Sequence, residues 1–274
     1  MPSSYWDETL AARYRRFHYD FAEKTLAGRN VVIAGGTGGL GAATVALLAR
    51  EGARLIVGFR SNRERAEALH RAMREQFAQE ITLIEGDIIE AAVRRLYLDA
   101  VTAAGGPLAG AAIFPGDPAR VKFDDLTRES LTASLDANYI GPILLAKDLG
   151  SAMESGGAEQ GSSLVLLATM QAVAPFESSL NYAAPKAALV HAAKILARQW
   201  KNVRVNVVAP GATVAGMAEA SVTAGKYDAF VSGGTIPRFG RPEDIARAVR
   251  FFLEPDNYIT GQVLVVDGGL TLRR

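Results

Sequence analysis

The stretch Val31-Val32-Ile33-Ala34-Gly35-Gly36-Thr37-Gly38-Gly39-Leu40-Gly41 is a short apolar run that empties into a glycine-rich turn. Glycines in that place serve three ends: a tight turn, close backbone approach to a pyrophosphate, and close packing of the helix that follows, whose N-terminus faces the phosphates. Gly35, Gly39 and Gly41 can fill those roles. A glycine cluster taken alone is equally a plain strand-to-helix turn, so the rest of the chain has to decide.

Outward from it, apolar runs recur at Leu55 to Val57, Ile81 to Ile84, Ala109 to Phe114, Leu164 to Ala168, Val203 to Val208 and Val263 to Val266, with helix-length segments between them. Strands apolar throughout that alternate with helices require a parallel sheet covered on both faces, because each crossover helix must bury its stripe. The expectation is one α/β domain over residues 28–274, a Rossmann-type doubly wound parallel sheet of seven strands with helices on both faces. In the extension, residues 1–27, Trp6, Leu10, Tyr14, Phe17 and Phe21 recur at helical spacing, which predicts a helix packed on its own domain or on a neighbouring subunit.

Lysine and arginine total 30 against 29 acids, and the net charge of +1 supplies no global field for nucleic acid or an anionic membrane. There is no cysteine, and His18, His70 and His191 lack ligand spacing, so no metal is expected. No stretch has the length of a transmembrane helix, and Arg15-Arg16 precedes no apolar export core. A cytoplasmic protein is expected.

The second strand turns the glycine run into a cofactor site. Arg60 lies 19 positions after Gly41 and is followed by Ser61, while no carboxylate occupies Leu55 to Asn62. A dinucleotide fold places there either an acid for a ribose 2'-hydroxyl or an arginine for a 2'-phosphate, so NADP(H) is favoured over NAD. Asp87, after the third strand, can accept from an adenine amino group or cap a helix.

Tyr182 and Lys186 stand one helical turn apart in Asn181-Tyr182-Ala183-Ala184-Pro185-Lys186. A phenol holds its proton until about pH 10, and a lysine ammonium on the same face is expected to lower that value and make an acid/base of it.

With the glycine turn, Arg60-Ser61, Asp87, Asn138, Tyr182 and Lys186, Pro210-Gly211 and the tail Tyr258 to Gly269 in register, residues 28 to 270 resemble the short-chain dehydrogenase/reductase family, especially its shorter 3-oxoacyl-carrier-protein-reductase-like members. The resemblance implies a catalytic set of Asn138, Thr169, Tyr182 and Lys186. Thr169 stands 13 residues before Tyr182, where the family has serine. It extends the cofactor contacts to Thr37, Gly38, Leu40, Ile88, Gly116, Tyr182, Lys186, Pro210, Gly211 and Thr213, with Lys186 holding the nicotinamide ribose and Met170 and Gln171 lining a substrate cleft. It also implies a homo-tetramer or homo-dimer.

Two departures remove polar groups. The family's Asn-Asn-Ala-Gly is Ile113-Phe114-Pro115-Gly116, and its threonine before the glycine turn is Ala34. Phe114 is expected to fill the space that Ala34 vacates. The reading is an NADP(H)-dependent oxidoreductase acting on a small carbonyl or alcohol substrate, with a 3-oxoacyl thioester the nearest named candidate. The alternative is a catalytically weak dinucleotide-binding sensor or scaffold of the same fold.

Overall fold

The apolar runs form β1 (Asn30–Ala34), β2 (Arg54–Phe59), β3 (Ile81–Glu85), β4 (Leu108–Ile113), β5 (Ser162–Leu167), β6 (Val203–Pro210) and β7 (Val263–Val266). They lie in one sheet of order β3-β2-β1-β4-β5-β6-β7, every neighbouring pair parallel. The structure is a computed structural model that describes residues 7–17, 23–156, 158, 161–177 and 179–273.

The helices are α1 (Glu8–Arg15), α2 (Gly39–Arg50), α3 (Arg63–Phe77), α4 (Ala91–Ala104), α5 (Arg128–Leu135), α6 (Gly141–Ser155), α7 (Leu180–Gln199), α8 (Glu219–Thr223), α9 (Asp228–Ser232), α10 (Pro242–Leu253) and α11 (Leu270–Arg273). Side chains alternate across the pleat, so each strand feeds two cores. Val32, Ile56 and Leu164 pack with α4, α6 and α7 on one face, and Val31, Ile33 and Val165 with α2, α3 and α10 on the other. The doubly wound sheet is thus the one expected. The strand order reverses between β1 and β4, and such a switch point opens a crevice at the strands' carboxyl ends.

Two polar residues inside the strands tie neighbouring segments together. Asn206 donates to the Ile259 carbonyl at 2.8 Å and accepts from the Gln262 amide at 3.0 Å, fixing the tail that precedes β7. Ser162 donates to the Leu108 carbonyl at 2.7 Å.

Phe114 does not fill the space that Ala34 vacates, as the sequence had suggested. Ala34 is paired in register with Ile113, and both belong to the core beside α4 and α6. Phe114 is one residue on and packs with the opposite core, beside Leu40 and the α2 side. Ile113 is therefore the neighbour that fills the space at Ala34, because a one-residue step changes face.

The extension does contain α1, and Phe17 just after it is 83% exposed, so that residue does not pack on the domain. Trp6, Phe21 and His18, and the side chain of Leu10, lie outside the described residues. No described helix is long and apolar enough to cross a membrane.

Candidate active site

Two cavities open along the carboxyl edge of the sheet. One, of about 260 Å³, is lined by the glycine turn and by Arg60, Asp87, Ile88 and Gly116. The other, of about 610 Å³, is lined by Thr169, Tyr182, Lys186, Gln171 and Tyr227 among others. Leu40, Phe114 and Met217 border both, so the two meet at a shared wall.

The first cavity is built by backbone. Gly35 adopts φ +73°, a conformation side chains resist, and a Cβ on Gly41 would stand 2.3 Å from the Gly35 carbonyl oxygen. α2 begins directly behind this turn with no side-chain cap on Gly38 and no acid in its first turn, so its amides and positive dipole end are left for an anion. Arg60 is exposed at the end of β2 and makes no ion pair among the described residues.

Two further arginines stand at that end. Arg63 pairs with Glu85, and Arg65 donates from Nε to the Thr37 carbonyl at 2.6 Å. Sequence reasoning singled out neither, although both fall in the first turn of α3. Ser61 lines neither cavity. Asp87 accepts the Ile89 amide at 3.0 Å, so one carboxylate oxygen serves its own turn and the other faces no described donor.

The second cavity gathers hydroxyls. Thr169 follows β5 in extended backbone, and its hydroxyl accepts the Gln171 amide at 3.3 Å and stands close enough to the Tyr182 phenol to pull its pKa down. Tyr182 and Lys186 share a face of α7, interrupted by Pro185. Proline has no N–H, so the carbonyl of Asn181 four residues back loses its helical donor. The Ser134 hydroxyl donates to that carbonyl instead.

Asn138 lies in a π turn, Asp136–Ile140, where residue types alone predict no more than a continuing helix. It is fully buried, donating to the Asp117 carbonyl at 3.0 Å and to Ser134 at 3.2 Å and accepting the Asp117 amide at 3.1 Å. Its side chain thus holds the loop after β4 against α5 and α7. Asp117, Ser134 and Asn181 complete this network, and only their chemistry as small polar residues near the motifs signals them in sequence. Thr213 is buried and donates to the Gly211 carbonyl at 3.1 Å. With Pro210, Gly211, Met170 and Gln171 it borders the second cavity, not the first.

The electrostatics differ from expectation. Lys186 Nζ donates to the carbonyls of Leu167 at 2.9 Å and Pro115 at 3.2 Å, and burial lowers its pKa to about 7. Tyr182 is pushed up to about 12, chiefly by burial, with smaller upward pushes from Tyr227 and Asp117 opposed by the Thr169 hydrogen bond. The protein's own groups therefore do not loosen the phenol through Lys186. Desolvation outweighs a lysine whose charge is itself suppressed and aimed at backbone.

The sequence profile described as Enoyl-(Acyl carrier protein) reductase matches residues 34–271. The chain belongs to the short-chain dehydrogenase/reductase family. Members are oxidoreductases of CH-OH and C=O groups that use nicotinamide dinucleotides. The 3-oxoacyl-acyl-carrier-protein reductase of Aggregatibacter actinomycetemcomitans is 29% identical over 88% of this chain and 98% of its own length. The NADPH-dependent aldehyde reductase 2 of Arabidopsis thaliana is 27% identical over 90% and 95%. A short-chain type dehydrogenase/reductase from Mycobacterium ulcerans superposes with a TM-score of 0.84 at 26% identity, covering 91% of this chain and 92% of that one.

Proposed function

We propose that this short-chain dehydrogenase/reductase is an NADP(H)-dependent carbonyl reductase in which Tyr182 donates the proton. The observation that carries the reading is the Tyr182 and Thr169 hydroxyl pair in a cavity that shares a wall with the glycine-lined cleft. The uncapped α2 N-terminus, the glycines that keep side chains out of the turn, and Arg60 fit a dinucleotide with a 2'-phosphate. A reduced nicotinamide held there supplies the hydride that the carbonyl carbon accepts.

Thr169 donates a hydrogen bond to the substrate oxygen, and Tyr182 hands the same oxygen its proton. A phenol at about 12 is protonated at neutral pH, the state that carbonyl reduction requires. Lys186 and Asn138 hold the floor of the site through Pro115, Leu167 and Asp117. The larger cavity accepts a small ketone or the acyl end of a 3-oxoacyl thioester, in keeping with the names of the relatives.

Exposed Leu131 and Leu135 on α5 and Ile195 on α7 supply apolar surface for a homo-oligomer through these helices. Mixing the protein with NADPH and a panel of ketones, aldehydes and 3-oxoacyl thioesters, and following nicotinamide absorbance, tests the proposal. Binding of NADPH with no oxidation across that panel would leave a dinucleotide-binding sensor.

A further inference from the structure

Tyr97 lies on α4 and is only 1% exposed, packed among Ile56, Ile84, Ile88 and Val101. A phenylalanine would satisfy that apolar setting. The hydroxyl makes no hydrogen bond to any described residue, yet it is not among the fully sealed polar atoms without a partner. Tyr97 also lines the glycine-walled cleft, together with Arg60, Asp87 and Ile88, and does not line the larger cavity that holds Tyr182. The small exposed part of the residue therefore includes an oxygen opening into the cleft, at the carboxyl ends of β2 and β3.

Space for that oxygen is built into the strand beside it. A Cβ on Gly58 of β2 would stand 1.6 Å from the Tyr97 hydroxyl and 2.6 Å from the ring carbon that bears it. Any side chain at residue 58 would displace the phenol. Glycine weakens a strand interior and commonly marks a place where another group approaches closely. A hydroxyl kept in apolar surroundings without a partner is unfavourable, so its retention asks for a partner supplied from elsewhere. Burial raises the phenol well above its ordinary pKa, which keeps the proton in place and makes the group a donor.

We infer that the Tyr97 hydroxyl donates a hydrogen bond to the adenosine half of the dinucleotide, so that α4 supplies a binding group from beneath the sheet edge. This rests on the reading of the cleft as a dinucleotide site. Arg60 and Asp87 border the same end of the cleft, and the acid/base pair borders the other cavity, which assigns Tyr97 to the adenosine and not to the nicotinamide.

The test compares the wild-type protein with Tyr97→Phe, which removes one oxygen. Thermal unfolding without nucleotide is expected to stay unchanged or rise, because no internal hydrogen bond is lost. The Kd for NADPH, and for 2'-phospho-ADP-ribose, is expected to rise roughly 5- to 20-fold, the usual effect of losing a hydrogen bond to a ligand. Binding of reduced nicotinamide mononucleotide, which lacks adenosine, should not change. Equal affinity of both proteins for the adenosine-bearing ligands overturns the inference about Tyr97 alone. A variant that unfolds several degrees earlier, or that loses the mononucleotide equally, assigns the hydroxyl a structural role and overturns it too. Failure of the wild-type protein to bind any dinucleotide removes the reading of the cleft and this inference with it.

Discussion

Lys186 Nζ donates to the carbonyl of Pro115 at 3.2 Å, which ties the buried ammonium to the segment where Ile113-Phe114-Pro115-Gly116 replaces the family's Asn-Asn-Ala-Gly. A second bond, to Leu167 at the end of β5, holds it at 2.9 Å. The ammonium thus bridges the ends of two adjacent central strands. Its two partners are backbone dipoles, which accept two of its three protons without neutralising its charge, so burial dominates and the pKa falls to about 7.

That shift has a sign. The unfolded lysine keeps its proton up to about pH 10.4, whereas the folded one releases it near 7, so between those values the unfolded state binds more protons and stability rises with pH. Below about 7 the charged form must be buried and the gain is gone. Lys186→Met should lack this slope. The stability of wild type relative to the variant, from denaturant unfolding at a series of pH values, is expected to increase from pH 7 to 10 by at most about 5 kcal/mol. A constant difference across that window would show that burial of Lys186 does not govern its titration.

Gly116 has no room for a methyl group. A Cβ there would stand 2.7 Å from Asn138 Oδ1 and 3.1 Å from Lys186 Nζ, and both of those atoms are already committed to the loop after β4. Gly116→Ala is therefore expected to destabilise the protein by about 1–3 kcal/mol through overpacking and to lower turnover as well. Circular-dichroism melting read beside a rate assay checks both. Wild-type values in each would mean that the asparagine and lysine can move aside freely.

How much of this was legible in the sequence depends on what carried the signal. The strands were, because runs such as Val203 to Val208 are apolar on both faces and only a covered parallel sheet buries them. The glycine turn and Arg60 were legible through spacing, and they do line one cleft. Three things were not. The π turn around Asn138 is an alternative hydrogen-bond register of a helix, and no residue type announces it. The face on which Phe114 packs depends on where β4 ends, and a shift of one residue reverses it. The phenol's pKa depends on burial against charge, a balance that the four-residue spacing of Tyr182 and Lys186 does not contain.

Cofactor choice is expected to follow Arg60. Its guanidinium makes no ion pair among the described residues, while the neighbouring Glu85 is engaged by Arg63. Arg60→Ala should weaken NADPH binding roughly 10- to 100-fold, the range for a charge-assisted hydrogen bond to phosphate, and leave NADH binding within about twofold. Fluorescence titration of both cofactors against both proteins measures the ratio. Parallel losses for NADPH and NADH would place the arginine's role away from the 2'-position.

Tyr182 offers the sharpest division between binding and chemistry. Replacing it with phenylalanine keeps the ring that lines the cavity and deletes the proton donor. Reductase turnover is expected to drop by about 10²- to 10⁴-fold, while the Kd for NADPH, whose cleft Tyr182 does not line, stays within about twofold. Because burial holds the phenol at about 12, the wild-type reduction rate should show no loss from its ionisation as pH rises through the neutral range. Thr169→Val should lower turnover by a smaller factor, since it removes the hydrogen bond to the substrate oxygen but not the proton. Turnover retained in Tyr182→Phe would hand the proton-donor role to another group in the cavity, and Thr169 is the hydroxyl that stands beside it.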